Sequence, residues 1–114
     1  MSLPWHKSQS VHNKTTSDFL NTANPNHIDW EVTTLFYAAL HLVDNYFQIN
    51  NLPMPSNHDE RKRLVRSQLP TLYSAFHKLY SLSFRARYIV GHRMRDQDRQ
   101  IAVNSFTVLT TNLP

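Results

Sequence analysis

Apolar side chains recur at helical spacing through most of the chain. The clearest run is DWEVTTLFYAALHLVDNYF, residues 29–47, in which positions 32, 35, 36, 39, 40, 43, 46 and 47 are apolar. Residues three and four apart share one face of an α-helix, and a stripe this wide is typical of a helix at the centre of a bundle. The pattern therefore predicts a long, central second helix.

A polar helix is predicted before it, over about residues 4–22. Its few apolar side chains favour a surface position, and we expect Trp5 and Trp30 to pack it onto the second helix. The segment NTANPNH interrupts the pattern, because the residue before a proline is pushed towards extended backbone. Either Asn26 or Asp29 is expected to cap the second helix.

A third helix is predicted to open behind Ser56 or Asn57, with acidic residues in its first turn, where the helix dipole favours them. It ends near Leu69, and Pro70 suits the first turn of a fourth helix. Gly91 is a plausible end for this fourth helix. The apolar stripes of the second and fourth helices also contain tyrosines, which we expect to lie in the core: Tyr37 and Tyr46 in the second helix, and Tyr73 and Tyr80 in the fourth.

Asp96 is expected to cap a fifth helix that buries Ile101, Phe106 and Leu109. Short connections make consecutive helices antiparallel, so the sequence predicts one all-α domain over residues 1–114, an up-and-down bundle of four to five helices. This threading would gather polar side chains at one end of the bundle: His41, Asp44, His58, Arg61, Arg85, Arg87, Tyr88 and His92.

Composition narrows the classes of function. The chain has one glycine and no cysteine, which fits helices and excludes disulfides and thiolate metal sites. Residues 1–56 carry two basic against four acidic side chains, whereas residues 57–114 carry ten against four. This asymmetry indicates an anionic partner for the second half, nucleic acid being the usual one. The apolar runs are shorter than the ~20 residues of a membrane span, so we expect a cytoplasmic protein without membrane contact.

Three stretches together resemble the HEPN superfamily of small helical bundles: DWEVTTLFYAALHLVDNYF, PSNHDERKRLV and LYSAFHKLYSLSFRARY. The resemblance covers about residues 5–110. It implies a bundle of four or five helices that is often a homodimer. Many members are metal-independent ribonucleases marked by an arginine and a histidine with four to six residues between them, whereas others are non-catalytic partners of nucleotidyltransferases.

The resemblance assigns Arg87 and His92, with four residues between them, as the catalytic pair. Arg85 offers the longer spacing, and Arg85, Tyr88 and His92 share one helix face at i, i+3 and i+7. A guanidinium can hold a phosphate through two hydrogen bonds. An imidazole can take the proton of a ribose 2′-hydroxyl, so that this oxygen attacks the adjacent phosphate.

Four further residues are candidates for phosphate or nucleotide binding. His58 and Arg61 open the third helix, where backbone N–H groups also favour anions, although Arg61 could instead pair with Asp44. His41 and Asp44 share one face of the second helix, a spacing that suits either metal ligation, with His58 or His92 added, or an internal hydrogen-bonded pair. We expect the internal pair, and neither a metal nor a cofactor.

Two functions follow as hypotheses. The first is a HEPN-like bundle that binds RNA or nucleotide phosphate, with metal-independent endoribonuclease activity as its catalytic form. The alternative is a non-catalytic protein-interaction module, such as the partner of a nucleotidyltransferase in a toxin–antitoxin pair.

Overall fold

Five α-helices form the protein in a computed structural model that describes residues 3–23, 27–88 and 94–114. The helices are α1 (Leu3–Ala23), α2 (Ile28–Ile49), α3 (His58–Gln68), α4 (Tyr73–Tyr88) and α5 (Asp96–Asn112), and a 3-10 turn, Pro70–Leu72, leads into α4. The described ranges contain no β-strand. The predicted all-α bundle is therefore confirmed.

The predicted central helix is the longest and most buried of the five. α2 packs against α1, α4 and α5, and most of its side chains lie in the core, including Val32, Leu35, Phe36, Ala39, Leu40, Val43 and Phe47. Phe36 and Phe47 are completely inaccessible to solvent. Burying one such side chain contributes about 1.5–3 kcal/mol, so α2 supplies much of the energy that holds the bundle together.

The end of α2 is set by Asn51. Its φ of 56° is in the left-handed region, which asparagine tolerates better than most residues. The turn allows the N–H groups of Asn51 and Leu52 to donate to carbonyls of the last helical turn, at 3.2 and 2.9 Å. Leu52 folds back against the core, and the chain is redirected towards α3.

Helix α1 runs antiparallel to α2 and contacts it through small polar side chains. The buried Ser10 hydroxyl donates to the Ala38 carbonyl at 2.7 Å, and the buried Ser17 hydroxyl donates to the Glu31 carbonyl at 3.0 Å. Each of these hydroxyls donates to a carbonyl of α2, so neither serine buries an unpaired hydrogen-bond donor. The polar residues from which a surface helix was predicted thus include the two serines that contact α2.

The expected tryptophan packing is wrong for Trp30, which is mostly exposed. Trp5 is also mostly exposed, and its ring meets α2 at the edge of His41, with the ring centroids 5.2 Å apart. Serines achieve a closer approach of two helices than indoles can, since their side chains are small. Trp5, Val11 and Phe19 of α1 are consequently exposed.

One buried carboxylate joins three helix ends. Glu31 accepts from Asn21 at the end of α1 at 2.9 Å, and from Arg99 in the first turns of α5 at 2.9 and 2.8 Å. At the opposite end, Lys7 donates to the carbonyl of Pro114 at 3.0 Å. These contacts show that α5 runs in the same direction as α2 and opposite to α1.

The start of α3 agrees with its predicted cap. The Asn57 side chain accepts from the Glu60 N–H at 2.8 Å, and the Glu60 carboxylate accepts from the N–H and hydroxyl of Ser56 at 3.0 and 2.9 Å. These hydrogen bonds lower the pKa of Glu60 below its ordinary value. The reciprocal arrangement fixes the first turn of α3 and with it the position of His58.

The predicted cap of α2 at Asp29 differs in the structure. Helix α2 follows His27, and Asp29 lies inside its first turn, where it accepts from the Trp30 N–H at 2.8 Å. Asn26, the other candidate, and Gly91, the predicted end of α4, lie outside the described residues.

Helix α5 also starts differently from the prediction. It follows Arg95 rather than Asp96, because the Asp98 carboxylate accepts from the Arg95 N–H at 2.9 Å. Phe106 and Leu109 are buried as predicted, but Ile101 is exposed and Ala102 takes its place in the core.

Candidate functional site

Arg87 makes three hydrogen bonds, one to Tyr37 in the middle of α2 and two to Ser83 on its own helix, α4. Nη1 donates to the Tyr37 hydroxyl at 2.7 Å, Nε donates to the Ser83 carbonyl at 3.1 Å, and Nη2 donates to the Ser83 hydroxyl at 3.2 Å. The guanidinium carbon also lies 5.4 Å from the centre of the Tyr37 ring. Three of the five guanidinium N–H groups are used in this way, so the charge is fixed in place before any ligand arrives.

Arg61 and Asp44 form a buried, two-pronged ion pair between α3 and α2. Nε of Arg61 lies 2.9 Å from Oδ1 of Asp44, and Nη2 lies 3.1 Å from Oδ2. The two side chains are only 11% and 5% exposed, respectively. The fork that could hold a phosphate is therefore occupied by an internal carboxylate. Of the two roles open to Arg61, the structure displays the pairing with Asp44.

His58 lies between two aromatic rings at the first residue of α3. Its ring centre is 5.7 Å from that of Phe36 and 5.4 Å from that of Tyr80. Nδ1 is buried and has no hydrogen-bond partner among the described residues. Burial lowers the pKa of His58 below its ordinary value, and the charges of Arg61, Arg87 and Lys62 lower it further. These effects favour the neutral imidazole, whose unprotonated nitrogen can accept a hydrogen bond.

These contacts join part of the predicted set into one central cluster, which consists of Tyr37, Asp44, His58, Arg61 and Arg87. The cluster extends along α2 from Tyr37 to Asp44, across the middle of the helix. Arg87 is therefore not at the C-terminal end of α2, where the predicted threading placed it. Its hydrogen bond to Tyr37 is the contact that shows this.

His41 belongs to a different contact. Its Nδ1 lies 3.0 Å from Nδ1 of His6, so the ring faces α1. Burial lowers the pKa of His41, the charges of His6 and Arg61 lower it as well, and Asp44 acts in the opposite direction. His41 therefore joins α2 to α1 instead of facing the central cluster.

The remaining predicted residues lie at and beyond the end of α4. Arg85 and Tyr88 are exposed, and the guanidinium carbon of Arg87 lies 5.0 Å from the centre of the Tyr88 ring. His92 lies outside the described residues. Of the predicted catalytic pair, the structure thus positions only Arg87.

A basic surface on α3 was not among the predicted sites. We define the α3 basic face as Lys62, Arg63 and Arg66, which border a recess of about 400 Å³ together with Asn57, Asp59 and Tyr73. The signal lay in the run HDERKRLVR, in which positions 62, 63 and 66 are basic and lie away from the side that carries Arg61 and Val65. Within this run, only His58 and Arg61 were predicted as binding residues.

Aromatic rings hold two cations of the α3 basic face. The ammonium of Lys62 lies 4.4 Å from the centre of the Tyr80 ring. The guanidinium of Arg66 lies 4.7 Å from the centre of the Tyr73 ring and donates to its hydroxyl at 3.1 Å. Tyr73 and Tyr80, predicted as core, are half-buried and pack against the core while supporting these charges. Since Tyr80 also contacts His58, the basic face continues into the central cluster.

The described residues contain no set of three His, Asp or Glu side chains arranged to hold a metal ion. None of the described helices is both long and apolar enough to cross a bilayer. Comparisons with models of protein families, with curated proteins and with solved structures gave no match.

Proposed function

We propose that the protein binds the phosphates of RNA or nucleotides through the α3 basic face. The observation that carries the proposal is the recess in which three cations face one carboxylate, that of Asp59. Asp59 is strongly exposed and lies 3.8 Å from Lys62, and an exposed pair of this kind contributes little. The recess therefore retains a net positive charge that is accessible from solvent.

The cations are suited to phosphate because their positions are partly fixed. Lys62 and Arg66 each lie over a tyrosine ring of α4, so less side-chain freedom is lost when a ligand binds. Arg66 donates one N–H group to Tyr73 and has others for a phosphate oxygen. The charge of Arg61, by contrast, is neutralised by Asp44. This buried pair holds α3 against α2 and adds no net charge to the basic face.

Salt dependence of RNA binding tests this proposal. Each phosphate contact on a single strand adds about 0.7 to the slope of log affinity against log salt concentration. Fluorescence anisotropy of labelled RNA between 50 and 200 mM salt should give a slope of about −2 for three cations. R63E/R66E should lower both affinity and slope, whereas K7E/K14E, with the same change of net charge on α1, should lower them far less. Salt-independent binding, or equal losses in both variants, contradicts the proposal.

Cleavage of RNA is the finer form of the same proposal. Arg87 would hold the scissile phosphate and His92 would take the 2′-hydroxyl proton, as the HEPN resemblance implies. Two features of Arg87 support this role. Its guanidinium is fixed by Tyr37, and its positive charge helps to lower the pKa of His58. Purified protein incubated with RNA in EDTA should yield 2′,3′-cyclic ends, and H92A should abolish them while RNA binding persists. Intact RNA after incubation with folded wild-type protein removes the enzymatic form only.

A second candidate function is protein interaction, with a second copy of this chain as the partner. It is favoured by the exposed apolar side chains Trp5 and Val11 of α1, since exposed apolar surface is typical of interaction sites. Light scattering coupled to gel filtration should report a dimer that W5K/V11K converts to a monomer. A wild-type monomer at all concentrations would contradict this candidate.

A further inference from the structure

Aromatic rings follow one another along the exposed side of α4. The row, which we call the α4 aromatic row, consists of Tyr73, His77, Tyr80, Phe84 and Tyr88, spaced three or four residues apart. Ring centres are 5.6 Å apart between Tyr73 and His77, 6.2 Å between Tyr80 and Phe84, and 5.0 Å between Phe84 and Tyr88. Phe84 is 40% exposed and Tyr88 is 60% exposed, so the row opens to solvent towards its end.

Cations lie beside this row along its length. Arg66 lies over Tyr73, Lys62 over Tyr80 and Arg87 over Tyr88. Arg85 borders a recess of about 460 Å³ together with Tyr80, Ser81 and Phe84. The row and the α3 basic face are therefore one continuous surface, joined where Lys62 meets Tyr80.

We propose that this surface binds single-stranded nucleic acid, with bases stacked on Phe84 and Tyr88 and phosphates held by Arg85 and the α3 basic face. The inference rests on the proposed function and names its substrate class. Stacking on aromatic side chains requires unpaired bases, whose faces a duplex conceals. A row from residue 73 to 88 spans about 22 Å at ~1.5 Å per residue, enough for several nucleotides.

The ring spacing determines how bases would stack. A base inserted between two rings needs contacts of about 3.5 Å on both faces, hence about 7 Å between ring planes. The centres of Phe84 and Tyr88 are only 5.0 Å apart. Bases must therefore stack on the outward faces of these rings rather than enter between them.

The cations distinguish this surface from a protein-docking surface. Lysine is depleted in protein–protein interfaces, whereas here the ammonium of Lys62 lies directly over the Tyr80 ring, between two further rings that carry arginines. Unpaired bases supply aromatic faces and a phosphate supplies negative charge at each nucleotide, so a single strand is complementary to both features.

Substitution of the two most exposed rings tests the inference. Anisotropy with a labelled single strand of about 12 nucleotides, within the range of known site sizes, should show F84A/Y88A binding at least about 30-fold more weakly, since two stacked bases are lost. The salt slope should stay unchanged because no phosphate contact is removed. F84W should bind at least as tightly as wild type, and F19A/W30A, which removes two exposed rings elsewhere, should change affinity less than about twofold.

The outcomes separate this inference from the proposed function. If wild-type protein shows no salt-dependent binding to any RNA, the proposed function fails. If binding is salt-dependent but F84A/Y88A keeps wild-type affinity, or if a duplex of equal length binds more tightly than the single strand, the inference alone fails. It also fails if F84A/Y88A converts a dimer to a monomer without loss of binding, since the row is then an interface between copies.

Discussion

Asp44→Asn should destabilise the protein strongly, because it leaves the buried guanidinium of Arg61 without its counter-ion. The two side chains are 11% and 5% exposed for Arg61 and Asp44, respectively, and they meet through two bonds of 2.9 and 3.1 Å. Asparagine keeps the shape of the aspartate, so the loss is one of charge rather than of packing. Removing one partner of such a pair costs about 3–5 kcal/mol, a large part of the total stability of a small domain.

Urea unfolding followed by far-UV circular dichroism at pH 7 measures this loss. With an m-value of about 1–3 kcal/mol per M, the midpoint should fall by at least about 1 M while the m-value stays constant. Asp18→Asn is the matched control: it breaks the Lys14–Asp18 pair, whose side chains are 41% and 64% exposed. Exposed pairs contribute about 0–1 kcal/mol, so this midpoint should hardly move.

The double variant Asp44→Asn/Arg61→Met separates a lost charge pair from a distorted fold. It removes both charges and should recover most of the stability, because two buried ions replaced by uncharged groups cost little. If Asp44→Asn and Asp18→Asn lower the free energy of unfolding by the same small amount, the reasoning is refuted. Arg61 would then be accessible to solvent and would return as a candidate for phosphate binding.

Three further predictions concern the contacts around α2. Because burial lowers the pKa of His58 in the folded protein, the unfolded chain binds more protons between that pKa and about 6.5. Stability should therefore rise with pH through this window and be lost as pH falls below about 6.5. His58→Gln should reduce this rise in urea midpoints measured from pH 5 to 8 without abolishing it, because burial also lowers the pKa of His41; substitution of an exposed histidine, His12→Gln, should leave the rise in place. Tyr37→Phe removes a hydrogen bond to charged Arg87 and should cost about 1–2 kcal/mol in urea unfolding; no loss would contradict the fixed guanidinium. Ser10→Ala should cost about 1 kcal/mol, measured in the same way, and a gain in stability would contradict the polar interface.

The helices could be predicted from the sequence because helical periodicity is a local property. The stripe of α2 and the asparagine cap of α3 need only neighbours within one or two turns. Errors arose where the sequence left more than one arrangement open, locally at the start of α5 and between helices at Trp30. The start of α5 differs by one residue because the Asp98 carboxylate turns back to the N–H of Arg95. Trp30 faces solvent because the α1–α2 interface is made by serines.

The candidate site was less predictable because long side chains choose partners across helices. Sequence spacing cannot tell whether an arginine reaches solvent or an internal carboxylate, and Arg61 and Lys62 are adjacent yet differ in this respect. Tyr80 was predicted as a core residue and does pack on the core, but its ring also holds Lys62 at the surface. Half-buried aromatic residues can therefore pack on the core and hold a surface cation at the same time.

Helix α3 shows how one short element serves two purposes. Successive residues point about 100° apart around a helix, so Arg61 points inwards to Asp44 while Lys62 and Arg63 point outwards. The inner charge is cancelled by Asp44, which fixes the helix without reducing the charge of its outer side. The Glu60 carboxylate accepts two hydrogen bonds from Ser56 at the start of the same helix. The arrangement concentrates positive charge beside the aromatic rings of α4, which is the combination that single-stranded nucleic acid requires.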